Sequence, residues 1–287
     1  MSNNFYKKHL SLLSSFVLVF LLATTTYASD EKILSFFKEN IKNSKIMSEL
    51  GLPLNKESIN VSIVTTMKLQ KPKNWTAYLI EYKTKTKTVY KSFYIGDGIM
   101  STRLFDMNTG EEFEDPIALA LEFNANYYDE EHLIYGNKNA KHKIVIFADP
   151  LCVYCRTAVP EAIKYMRKYP NTFAVYHFYF PMLNASSPLL QASIAARMKG
   201  KKNIYPELYE IDLDYHEFDL IKIVDAFNKN QDTKIGLFDI MSPQIQKALQ
   251  KELKVAREHL ITGTPSFFVD GKKDPSKVLY KKMKIVQ

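Results

Sequence analysis

Two residues in this chain of 287 carry thiols, Cys152 and Cys155, and both sit in one short window, "FADPLCVYCRTAVPEA". A thiol becomes a nucleophile or a metal ligand when it loses its proton. A C-x-x-C pair can therefore serve as a redox couple, as half of a metal site, or as a small structural staple. The staple is the weakest of these, because closing so short a loop removes little entropy from the unfolded chain. A structural zinc needs about four ligands. The candidates beyond the two thiols are His132, His142, His177, His216 and His259, and no two of them share a metal-binding spacing. No metal and no cofactor is expected, and the histidines read as surface or packing residues.

The redox reading follows from the flanking residues. "KIVIFADP" is a buried strand that delivers the chain to a helix start at Cys152. Helix N-termini present free N–H groups and a positive dipole end, which favour an anion such as a thiolate. Cys155 lies one turn on, on the same helix face. Cys152 is then the exposed attacking sulfur, and Cys155 can resolve a mixed disulfide from behind. Pro160 lies inside the predicted helix, where it should kink it.

The elements that must position this pair follow the window. "TFAVYHFYF" (172–180) is a second strand, residues 186–234 read as helices, and "SPQIQKALQKELKVAREHL" is a further helix. "PSFFVDGKK" is a late strand with an Asp-Gly turn, and "DPSKVLYKKM" reads as a short final helix. With "HLIYG" as an opening strand, this alternation predicts an α/β unit over 133–287: a central sheet covered by helices. "ITGTPSFF" places Thr264-Pro265 at the entry of the late strand, where a cis bond is affordable and the missing N–H leaves an edge for an extended peptide.

Earlier in the chain, residues 1–28 form a secretory signal pattern: Lys7 and Lys8, the apolar run "LSLLSSFVLVFLLATTT", then Thr26 and Ala28 as small residues before a cut. The alternative is an uncleaved membrane anchor; either way the remainder is exported. Residues 30–51 have apolar positions at helical spacing, and "SINVSIV" and "WTAYLIEYKTKTKTVYKSFYI" alternate as strands. Residues 29–112 thus read as a small α+β domain with an antiparallel sheet, contributing shape and association. "EDPIALALEFNANYYDEEH" opens with Asp115 as N-cap and Pro116 at the first position; the segment 113–132 reads as a linker helix or as a core helix of the first domain. The net charge of +8 is spread over scattered lysines and is not organised with aromatics into a groove, so nucleic-acid binding is not expected. An exported chain sits where disulfides are permitted.

The strand, the C-x-x-C at a helix start, the helical insertion and the Gly-Thr-Pro strand together resemble the thioredoxin fold. The string "FADPLCVYC" resembles the periplasmic disulfide-interchange proteins of the DsbC/DsbG type. That resemblance implies a thioredoxin-like catalytic domain with a helical insertion, preceded by a dimerisation domain and a linker helix. It implies Cys152 as attacking thiol, Cys155 as resolving thiol, Pro265 as a cis proline and Thr264 as a substrate contact. Val153 and Tyr154 would set the redox poise. The implied activity is isomerisation or reduction of disulfides in misoxidised or unfolded exported proteins, by a periplasmic homodimer recycled by a membrane redox partner. A disulfide-donating oxidase uses the same residues, and a non-catalytic chaperone with an aromatic-lined cleft is the third reading. The sequence departs from the pattern at Ile146, six before Cys152, where some thioredoxin-fold proteins hold a buried acid. Water or Asp149 then has to carry the proton.

Overall fold

In a computed structural model, residues 30–40, 58–85, 87–201 and 204–286 are described. The signal pattern and the end of the first predicted helix lie outside these residues. The chain divides into two compact units, with the boundary between Asn108 and Thr109.

In the first unit residues 30–40 form helix α1. Four strands follow: β1 (Asn60–Lys68), β2 (Thr76–Lys83), β3 (Thr88–Gly96) and β4 (Ile99–Ser101). They form an antiparallel meander in chain order. β2 is the central apolar strand, and Val61, Tyr78, Ile80, Tyr82 and Phe93 close over Phe37 of α1. The Asp-Gly step at 97–98 makes the β3–β4 hairpin, both residues having positive φ (53° and 76°), the geometry that matches the twist of paired strands.

The second unit is built on a five-stranded sheet of order β5-β7-β6-β8-β9. Its strands are β5 (Leu133–Tyr135), β6 (His142–Ala148), β7 (Phe173–Tyr179), β8 (Ser266–Val269) and β9 (Lys272–Asp274). β6 and β7 run parallel, and β8 pairs antiparallel with the other side of β6. Being covered on both faces, β6 from Ile144 onward and β7 apart from His177 read as apolar runs in the sequence. Alternate side chains feed two cores. Ile144, Ile146, Ala148, Phe173, Val175 and Tyr179 face helices α3 (Val153–Met166), α4 (Ser186–Met198) and α5 (Leu220–Gln231). Val145, Phe147, Tyr176, Phe178 and Phe268 face the opposite way, against Val255 and Ala256. These two belong to α7 (Pro243–Glu258), which follows the single turn α6 (Leu237–Ile240). Helix α7 starts where the sequence signals it, with Ser242 as N-cap and Pro243 at N1. Its buried Ile245, Ala248, Leu249, Glu252, Val255 and Ala256 fall on one helical face.

Two expectations are corrected. The segment 113–132 is no continuous helix: α2 spans only Pro116–Ala120. Beyond it Phe123 is drawn into the second core, where it stacks on His259 at 4.6 Å. Glu122 bridges to Lys272 and the Phe123 N–H donates to Gly271 O at 2.7 Å. Burying one phenylalanine outweighs the weak helical propensity of the stretch around Asn124 and Asn126. The final helix is likewise a single 3-10 turn, Leu279–Lys282, held by Tyr280 in the core.

Candidate active site

The loop between β6 and α3 carries the two thiols. Cys152 is the N-cap residue of α3 in extended conformation, and Cys155 sits at its third position. Cys152 is partly exposed, while Cys155 is completely buried in the core beneath the helix. Val153 and Tyr154, between them, are 71% and 75% exposed and stand at the protein surface. Pro160 is a buried residue of α3.

The two sulfurs have opposite electrostatics. The Cys155 S–H beside it is the strongest influence holding the Cys152 thiol low, at about 5; the Thr264 side chain and the N–H groups of Cys155 and Tyr154 act the same way, against a partial desolvation. Burial, followed by the neighbouring Cys152 sulfur, pushes the Cys155 thiol far above the ordinary range. One thiol is therefore a ready thiolate at neutral pH, and the other keeps its proton until it is asked to react.

The Thr264-Pro265 turn closes the other side. This peptide bond is cis, as are Lys71-Pro72 and Tyr205-Pro206. In its protonated form the Cys152 Sγ–H donates to Thr264 O at 3.5 Å. The Thr264 hydroxyl is buried with no hydrogen-bond partner, and it favours the charged form of both cysteines. The structure thus brings Cys152, Cys155, Thr264 and Pro265 together across 112 residues of chain.

Asp149, offered by the sequence as a proton route, has another task. It is fully buried, and its carboxylate accepts from Leu151 N at 2.9 Å, Met182 N at 2.7 Å and Ser186 Oγ at 2.7 Å. Its carbonyl accepts from Cys152 N at 3.1 Å. With three donors on it, the carboxylate fastens the cysteine loop to the start of α4.

Sequence reasoning missed three features. Arg156 donates Nε to Pro150 O at 3.1 Å and Nη2 to Ile211 O at 2.8 Å, pinning the loop to the 3-10 turn Glu207–Glu210. In the core that also buries Cys155 lies a polar group: the His177 ring nitrogens meet Tyr209 Oη at 2.6 Å and Tyr205 Oη at 3.2 Å. The signal was present in the sequence, since His177 interrupts an apolar strand. On α7 Glu252 is buried, accepts from Tyr179 N, and is pushed up to about 8 by desolvation despite Arg197 nearby.

Among known proteins, two Rickettsia sequences match, each provisionally named a protein-disulfide oxidoreductase. The one from Rickettsia bellii (strain RML369-C) is 29% identical over 160 residues, 50% of this chain and 58% of its own. The one from Rickettsia conorii (strain ATCC VR-613 / Malish 7) is 29% identical over 160 residues, 50% of this chain and 54% of its own. The chain thus spans little more than half the length of the curated relatives it matches. Of solved structures, the catalytic domain of Proteus mirabilis ScsC is 27% identical, covering 56% of this chain and 90% of its own with a TM-score of 0.46. The family model described as Thioredoxin matches residues 128–285, a stretch that takes in the whole five-stranded sheet, both cysteines and the Thr264-Pro265 turn, and the chain belongs to that family.

Proposed function

We propose that this protein is a thiol:disulfide oxidoreductase that isomerises or reduces disulfides in exported proteins. One observation carries the exchange chemistry: an accessible, acidified Cys152 one helical turn before a buried, protonated Cys155. Cys152 attacks a client disulfide, forming a mixed disulfide and releasing one client thiolate. The client either reshuffles and leaves, or Cys155 displaces it and closes the Cys152–Cys155 bond. An extended client segment pairs with the backbone beside Pro265 while it is held. The related names support the chemistry, and the signal pattern supports a periplasmic site of action. The separate first unit ahead of the thioredoxin-like unit supports a homodimer formed through it, with a membrane partner that keeps the pair reduced.

A second reading has its own support. The groups that hold Cys152 as a thiolate stabilise the dithiol state, which makes the disulfide a stronger oxidant and favours donation to new client thiols. Alkylating cells in acid and separating the trapped forms distinguishes the two: mostly dithiol supports the isomerase or reductase, mostly disulfide the oxidase. Refolding of a scrambled multi-disulfide protein tests the first reading directly, and no acceleration over free glutathione rejects isomerisation. A Cys152→Ala, Cys155→Ala double variant that retains full function would replace both readings by a chaperone.

A further inference from the structure

Helix α7 ends on a buried histidine. His259 is its C-cap residue and is 3% exposed. Two partners fix the state of its ring. Nδ1 lies 2.7 Å from Val255 O, and a carbonyl can only accept, so Nδ1 carries a proton. Nε2 lies 3.0 Å from Asn124 N, and an amide N–H can only donate, so Nε2 presents its lone pair. The ring is therefore neutral, and both nitrogens are used. Asn124 lies in the stretch between α2 and β5, and of residues 122–128 Phe123 alone is buried. Phe123 stacks on the same imidazole at 4.6 Å and meets Phe147 of β6 and Phe268 of β8 at 6.1 and 5.7 Å. Those strands lead into the cysteine loop and out of the Thr264-Pro265 turn.

We propose that His259 is an acid-released latch: while neutral it fastens residues 122–128 against α7 and the sheet, and a proton on Nε2 frees them. That proton would set one N–H against another, the new Nε2–H facing Asn124 N–H. It would also leave a charge in a slot walled by Phe123, Phe147 and Phe268. Glu258, the carboxylate that acts on the ring, is already engaged. Its Oε1 holds Lys254 Nζ at 2.9 Å and its Oε2 accepts from Tyr127 Oη at 2.5 Å. Lifting the segment gives Nε2–H to water. The latch operates whichever way the cysteine pair exchanges disulfides.

Among the described residues, the titratable groups around the ring come from two elements. Glu258 and Lys254 stand on α7 and Tyr127 on the latched stretch, while β6 and β8 present the apolar Phe147 and Phe268. Burial holds His259 below the usual imidazole range, against the pull of the Val255 carbonyl and Glu258. Despite partial desolvation, Tyr127 and Lys254 hold Glu258 below the usual carboxylate range, and Glu258 in turn raises Tyr127 and Lys254. None of these three changes charge between pH 5 and 8, which leaves His259 as the group that titrates there. A docked ring that titrates below a free one means that docking is at full strength above ~6.5. It is lost as the pH falls, by up to ~10-fold in the docking constant per pH unit.

Hydrogen–deuterium exchange of the full chain, read by mass spectrometry and corrected for the intrinsic exchange rate at each pH, measures that constant. Protection of residues 122–128 is expected to fall by ~10-fold or more between pH 7.5 and 5, while peptides from β6 and β7 hold theirs. His259→Gln stays neutral and offers Asn124 N–H a carbonyl, so its protection should vary less than ~2-fold over the same range. His259→Phe keeps the stack without the acceptor and should be flat and at least ~5-fold below wild type at pH 7.5. His132→Gln removes the next histidine along the chain and should keep the wild-type fall. Wild-type protection that does not change with pH overturns the latch. So does a folded His259→Gln or His259→Phe that keeps the wild-type fall, or a His132→Gln that loses it. Should neither His259 variant fold, the wild type decides: a fall confined to 122–128 supports the latch, and a fall shared with β6 and β7 overturns it.

Discussion

The Cys155 S–H is the largest influence lowering the Cys152 thiol, so removing it should move the titration of Cys152 by a calculable amount. A hydrogen bond to a charged group contributes ~1.5–3 kcal/mol, and about 1.4 kcal/mol corresponds to one pH unit in a titration midpoint. Cys152 is open to solvent on one side, which screens such an interaction and selects the lower end, about one pH unit. Cys155→Ala should therefore move the midpoint from about 5 up to about 6. At pH 5 wild-type Cys152 is about half thiolate and the variant about one-tenth. The intrinsic reactivity of a thiolate rises with its basicity, so the alkaline plateau of the variant should be ~3-fold higher. Absorbance at 240 nm between pH 3 and 9 follows the thiolate, and the rate of iodoacetamide alkylation over the same range follows its reactivity. Cys155→Ser keeps a donor at the same place and should titrate close to wild type. A wild-type midpoint above ~8, the value of an ordinary cysteine, would refute the reasoning outright. So would an Ala variant that titrates with the wild type, since another donor would then hold the thiolate.

Three further outcomes follow. Gly136 has φ +83°, and a Cβ there would come within 1.8 Å of Phe173 O, so Gly136→Ala should lower stability by ~2 kcal/mol or more, read by chemical unfolding. Glu252 has a raised folded-state titration near 8, so its neutral form contributes stability fully below ~4.5, lost as pH rises through about 8; Glu252→Gln should flatten this fall, measured as urea midpoints from pH 5 to 9. Arg156→Met keeps the stem but frees the carbonyls of Pro150 and Ile211, and should cost ~1.5–3 kcal/mol while slowing thiol exchange, because the loop and the Tyr209 turn lose their shared clamp.

Local chemistry made much of this protein legible in one dimension. The two thiols, their spacing, the strand before them and the helix they open are contiguous, so backbone periodicity and cap logic reach them directly. The same holds for the meander of the first unit, whose alternation and Asp-Gly turn are short-range signals. The segment 113–132 failed for the opposite reason. Its conformation is decided by Phe123 finding a distant core and by Glu122 pairing with Lys272, and neither partner is visible from the local sequence. The amino-acid sequence by itself determined which atoms could exchange electrons and which elements would carry them. Only the tertiary structure decided what surrounds those atoms: that Asp149 holds three donors, that Thr264 lies against the sulfurs, and that His177 meets Tyr209 in the buried core. These are contacts between residues 30 to more than 100 positions apart, formed when the sheet and its helices bury their apolar faces, and pairwise proximity of that kind has no local period to betray it.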